Sequence, residues 1–283
     1  MSSTSVRPAP ASVLYDAPGP RARTRYRIAG VVAVLGIAAL LWYVLHSLSS
    51  NGQFDAGLWD IFQYTNVQQK IVDGLLSTLQ AFGLAAVFSL VLGALLAAGR
   101  LSDHQPLRWA CTAIVQFFRA MPLLILIVAL YYAYFIKTPM WALVLGLTLY
   151  NGCVQAEIIR SGVNAVPRGQ SEAAFALGLR KSQVMATILV PQAVRSMLPA
   201  IIGQMVVTLK DTSLGYIITY SELLYIGKQI ATQPTNSAGF PYIPVVLVIT
   251  PIYIVMCLLL TALARWIEAR GRRGANRRTP AAA

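Results

Sequence analysis

The 283-residue chain is short of charge: 12% of its residues are Asp, Glu, Lys or Arg, against 57% apolar. Soluble domains carry roughly twice that charged fraction, so an ordinary soluble fold is excluded. Histidine is scarcer, with only His46 and His104, too few to build a metal site by themselves. The three cysteines, Cys111, Cys153 and Cys257, sit in or beside apolar stretches without C-x-x-C spacing and read as small buried hydrophobes. No nucleophile–base pair stands out, so no catalytic residue is assigned and the chain does not read as an enzyme. The G-x-x-x-x-G-K-[ST] phosphate loop is missing, since Gly227-Lys228 lacks the upstream glycine and the following hydroxyl. Any ATP that drives this chain is therefore hydrolysed elsewhere.

Long apolar runs fill the space that charge vacates, and mean hydropathy is +0.61. A run of about 20 residues crosses a bilayer core of ~30 Å. Six candidates fall near Ile28–Leu48, Ile71–Gly99, Arg119–Ile136, Met140–Ile159, Leu198–Tyr220 and Ile243–Ile267. The expected fold class is an all-α membrane protein of six transmembrane helices. The fifth span is the most interrupted, by Pro199, Gly203, Gln204, Lys210, Asp211, Thr212, Ser213 and Gly215. Residues 1–27 and 269–283 carry little to bury and read as cytoplasmic tails, the first disordered. The first span is too long for a signal-peptide core and has no small-x-small cleavage site after it, so it reads as an uncleaved anchor.

Lys and Arg fix the orientation, because cytoplasmic loops carry the excess. With the N-terminus inside, 19 of the 23 basic residues are cytoplasmic; Lys70, Lys137 and Lys228 lie outside and Lys210 within a span. Both termini are then cytoplasmic, in a multi-pass membrane protein. The net charge of +13 needs no nucleic acid, because its residues cluster at membrane boundaries, where lipid and insertion account for them. Between spans, Asn51–Gln69 suggests an interfacial amphipathic piece through Phe54, Leu58, Trp59, Ile61, Phe62 and Tyr64. Trp109–Phe118 suggests a short helix along the inner surface, and Ser221–Pro241 an outer segment that starts helically.

The loop Arg160–Arg195, between the fourth and fifth spans, holds the most specific text. Val166-Pro167-Arg168-Gly169 reads as a turn, and Ser171 as the N-cap of a helix with Glu172 in its first turn. Ala173, Ala174 and Ala176 favour that helix and keep it thin enough to enter a groove, where Phe175 and Leu177 offer apolar contact. Gly178 supplies the freedom to change direction, and a second helix follows before Pro191 restarts the chain.

The spacing Glu172-Ala173-Ala174, then Gly178, then Ile188 and Val190-Pro191 resembles the cytoplasmic loop by which ABC-importer permeases grip their ATPase. Its flanks resemble the binding-protein-dependent permeases of polar amino acid ABC importers. The matching text is Phe118–Leu124, Ala156–Gly162, Val166–Ala174, Pro191-Gln192-Ala193 and Lys210–Leu214, in family order over residues 71–268. Val190 and Met121 depart from the usual residues without changing the pattern. The resemblance implies a type I permease core of five helices in residues 71–268, with residues 28–48 an extra N-terminal helix and 160–195 the coupling loop. It also implies a cytoplasmic ABC ATPase that binds the ATP and Mg, with no cofactor on this chain. An extracytoplasmic solute-binding protein and a second permease subunit, a paralogue or a second copy, complete the set. The closest likeness is to actinobacterial glutamate importers, so a polar amino acid, glutamate first, is the expected cargo.

Charge inside a membrane costs ~2.5–3.5 kcal/mol per residue at mid-bilayer and usually faces an interior path. Asn151, Gln155, Glu157, Lys210, Asp211 and Thr212 are therefore candidates for a translocation pathway, with Lys210 drawing a carboxylate and an acidic group an ammonium. Packing between spans is the competing reading, and for Glu157 an ion pair with Arg160. Arg119 reads as a headgroup anchor or as part of an inner gate. An ion-coupled secondary transporter is the alternative function, though such proteins often show internal repeats, which this chain lacks.

Overall fold

The structure, a computed structural model, describes residues 19–235 and 239–276. The described residues are helical throughout apart from turns and one isolated bridge between Thr235 and Gly239. Two compact units divide after Asp55. The first holds α1 (Pro20–Ser50), which begins at a proline in the first helical turn, where a missing N–H costs nothing. The span thus starts earlier than Ile28, and residues 20–27 of the expected disordered tail are helix; the rest of that tail lies outside the described residues. Apolar side chains are exposed all round α1, as on a helix whose solvent is lipid.

The second unit runs through a 3-10 helix (Ala56–Gln63), α2 (Thr65–Leu101), α3 (Gln105–Ala120), α4 (Leu123–Leu130) and α5 (Pro139–Asn164). It continues through α6 (Arg168–Ala176), α7 (Lys181–Val184), α8 (Val190–Asp211), α9 (Leu223–Ala231) and α10 (Tyr242–Asn276). The last helix carries eight residues of the expected C-terminal tail, 269–276; the remainder lies outside the described residues. Among the described residues, five helices are long and apolar enough to cross a membrane, or six if the bent pair α3–α4 counts as one span.

That bend corrects the third expected span. Arg119–Ile136 is not one helix: the chain turns 98° at Met121-Pro122. Pro122 holds Met121 in extended backbone, so α3 stops and α4 restarts. The expected surface helix at Trp109–Phe118 is the middle of α3, which buries Cys111 and Val115 and exposes Trp109 and Phe117. After α4 a π turn (Tyr131–Phe135) completes the crossing. The fifth span differs too. Lys181–Ile218 is continuous, because a π turn at Met185–Leu189 absorbs the donor missing at Pro191.

Helices α2 and α5 cross at glycine. A Cβ on Gly93 would stand 2.6 Å from Cβ of Gln155 and 3.0 Å from the Gly152 carbonyl, so only glycine allows that approach. Around the crossing, Ala81, Ala85, Ile127, Leu143, Leu147 and Ile218 form the central core. Leu96, Ala97, Val115, Cys153 and Ala156 fill the end toward α6. At the other end, Leu223, Ile226 and Ile230 of α9 pack against Val245 and Ile249 of α10. The interfacial piece expected over Asn51–Gln69 is the 3-10 helix, which buries Leu58 and Ile61 and exposes Trp59.

Candidate functional site

The loop Arg160–Arg195 folds as a thin helix with a defined stop. Helix α6 starts at Arg168 because Pro167 presets the backbone there, φ −53° and ψ 132°. This corrects the expected N-cap: Ser171 lies one turn inside the helix, its hydroxyl donating to the Arg168 carbonyl at 2.7 Å. The stop falls where expected. Gly178 adopts φ +79°, its N–H bonds the Phe175 carbonyl, and the Leu179 N–H bonds the Ala174 carbonyl, a Schellman closure. Ala174 is buried against the loop, while Phe175 is half exposed and Leu177 is 82% exposed. Two apolar side chains thus stand at the end of a short helix, Phe175 half covered and Leu177 largely bare. The following α7 is tied to the bundle by the Lys181 ammonium, which pairs with Asp103 and bonds the Leu101 carbonyl at 3.1 Å.

The polar residues expected to share one path divide into groups. Asn151 and Gln155 are fully buried and join α5 to α8: Gln204 donates to the Asn151 oxygen at 2.7 Å, and Gln155 donates to the Ile201 carbonyl at 3.4 Å. Thr212 is also fully buried, its hydroxyl donating to the Leu209 carbonyl at 2.6 Å. These three bond within the bundle and are closed to solvent, although Nδ2 of Asn151 and Oε1 of Gln155 are buried without a partner. Lys210 and Asp211 end α8 rather than lying mid-helix, which suits a lysine at the negative end of the helix dipole. Lys210 is exposed, Asp211 half-buried, and neither side chain has a partner among the described residues.

Glu157 joins neither group. Its Oε1 pairs with Arg160 and its Oε2 lies 2.5 Å from Nη1 of Arg100, with Arg119 behind at 3.8 Å. The i,i+3 pair is present, and two further arginines arrive from α2 and α3. Among the described residues one anion serves these three cations, and the buried Nε atoms of Arg100 and Arg160 have no partner.

A fully buried carboxylate was not expected from the sequence. Glu222, 0% exposed, caps α9 by accepting from the N–H groups of Leu224 and Tyr225 at 2.8 and 2.7 Å. Tyr253 of α10 donates its hydroxyl to the same carboxylate at 2.6 Å, and the Leu223 N–H bonds Thr78 of α2 at 3.0 Å. Burial pushes the Glu222 carboxyl above its usual range, against the downward pull of these donors. The capping signal was faint, since Glu is not a preferred cap and Tyr253 lies 31 residues away.

The family described as binding-protein-dependent transport system inner membrane component matches residues 89–273. The glutamate transport system permease protein GluD of Corynebacterium glutamicum is 43% identical over 239 residues, 82% of this chain and 86% of that protein. The arginine transport system permease protein ArtQ of Bacillus subtilis is 29% identical over 205 residues, 71% of this chain and 91% of that protein. The crystal structure of an amino acid ABC transporter with histidines aligns with a TM-score of 0.65 at 26% identity, covering 74% of this chain and 98% of that one.

Proposed function

This chain belongs to the binding-protein-dependent transport system inner membrane components and is an amino acid ABC permease; on that premise we propose that it imports glutamate with energy from a separate ATPase. Support for glutamate is the 43% identity to a glutamate permease. An external binding protein hands the amino acid over at the α9 end. A second permease, paralogue or copy, completes the path. Both termini and the α6 end are cytoplasmic, where the basic residues concentrate.

The observation that carries this reading is α6. The segment Ser171, Glu172, Ala173, Ala174, Phe175, Leu177 and Gly178 forms the end of this helix and its stop, with Phe175 half exposed and Leu177 exposed. A groove on the ATPase would bury Phe175 and Leu177, and a rigid helix passes a push without bending. The push reaches the bundle by two routes, through α7 into α8 and through Lys181 into the α2–α3 turn. Lys210 and Asp211, unpaired at the end of α8, face the path. Asn151, Gln155 and Thr212 hold its walls, and Glu157 belongs to the arginine cluster at its cytoplasmic end.

The test is uptake of labelled glutamate by proteoliposomes holding the permease, its ATPase and its binding protein. ATP-dependent accumulation that resists a proton ionophore, competed by excess glutamate more strongly than by arginine or glutamine, is expected. Uptake that needs a proton gradient and not ATP would overturn the reading.

A further inference from the structure

The arginine cluster holds more positive charge than its own chain neutralises, and the surplus opens onto a cavity. Glu157 has two carboxylate oxygens, and Arg160 and Arg100 take one each. Arg119 is left 3.8 Å from Oε2, outside hydrogen-bond distance, with its side chain 37% exposed. It lines a cavity of about 310 Å³ between α3 and α5, together with Gln116, Tyr150, Ala120 and Val154. That volume lies at the low end of small-molecule sites, ~300–1,000 Å³. The side chains of Arg119, Gln116 and Tyr150 have no hydrogen-bond partner among the described residues. Three donor groups from two helices, one of them the arginine that Glu157 does not reach, therefore line one space. Arg100, whose side chain is 7% exposed, keeps an orphaned Nε behind them. Such a place is short of an acceptor.

We propose that Arg119, Gln116 and Tyr150 bind the α-carboxylate of the amino acid as it leaves the path at the α6 end. The guanidinium fork matches a carboxylate bidentately, and Gln116 and Tyr150 add one donor each. The site reads the group that all amino acids share, so it holds the cargo without choosing its side chain. This inference rests on the amino acid transport reading above. A lipid phosphate could use the same donors, and the test separates the two.

The probe is radiolabelled L-glutamate, bound to the full chain assembled with its ATPase in phosphatidylcholine nanodiscs without binding protein. Saturable binding is expected, competed by L-alanine but not by alaninamide, which lacks the carboxylate. Arg119→Gln should weaken it at least about tenfold and Tyr150→Phe about threefold, the range for a charged and a neutral hydrogen bond. The phenylalanine variant loses one hydroxyl and keeps the fold if the arginine variant does not. No saturable binding by the unaltered complex, or binding that neither substitution changes, overturns the site. So does an Arg119→Gln complex that loses only its stabilisation by added phosphatidylglycerol, which would mark a lipid site. Failure of the unaltered complex to take up glutamate on ATP would instead remove the transport reading beneath it.

Discussion

The chain holds a carboxylate near each end of its bundle, Glu222 fully buried and Glu157 partly exposed, and the two are satisfied in opposite ways. Glu222 is surrounded by neutral donors, two backbone N–H groups and the Tyr253 hydroxyl, with no exposure. Glu157 is surrounded by cations, at the edge of a partly open cluster with more charge than it can answer. Neutral donors in a sealed pocket make a clamp, because each bond is local and no outside ion can compete. Surplus charge beside an opening makes an exchangeable site, because an arriving anion lowers its energy. The contrast suits an importer whose α9 end must keep its shape while its α6 end moves and releases.

The comparison breaks most visibly at Glu157. Glu157→Ala leaves Arg100 buried and unpaired and should cost about 2–3 kcal/mol, the penalty for breaking a buried pair discounted for the exposure of Arg160 and Arg119. A thermal unfolding scan in detergent reads it. Added sulfate should recover part of the loss, since an anion replaces the carboxylate. Glu222→Ala should cost less, about 2 kcal/mol for a lost cap and an orphaned hydroxyl, and no anion should rescue it. Equal rescue of both variants would erase the distinction.

A smaller effect sharpens it through pH. The Glu222 carboxyl is raised above its ordinary value of 4.5, so the folded state favours its protonated form. That contribution is whole below 4.5 and is lost as pH rises through the raised value. The unfolding temperature of the unaltered protein should therefore fall with rising pH relative to Glu222→Gln, and parallel curves would contradict this. Smallest is the exposed Lys181–Asp103 pair. Lys181→Ala should change stability by under about 1 kcal/mol, and less at high salt, yet slow ATP-driven uptake if the pair relays motion.

Legibility in the sequence followed distance along the chain. The stop of α6 could be read because a glycine at positive φ is a local fact of Gly178. The start was misplaced, since Ser171-Glu172 looks like a cap, but Pro167 one turn earlier fixes the backbone first. The break in the third span was available from Pro122 and was outweighed by the apolar run around it. Burial of Asn151 and Gln155 could not be read, because their partners Gln204 and Ile201 lie 53 and 46 residues away. The same holds for Arg100, 57 residues from Glu157, so the i,i+3 pair alone was visible.

The claim beneath all of this is that α6 receives the stroke of an ATPase. Photo-crosslinkers placed singly at Leu177 and, as a control, at exposed Trp109 in native membranes test it most directly. The coupling role predicts capture of a nucleotide-hydrolysing subunit from position 177 and none from 109. An ATPase captured equally from both, or from neither while glutamate uptake persists, would contradict it.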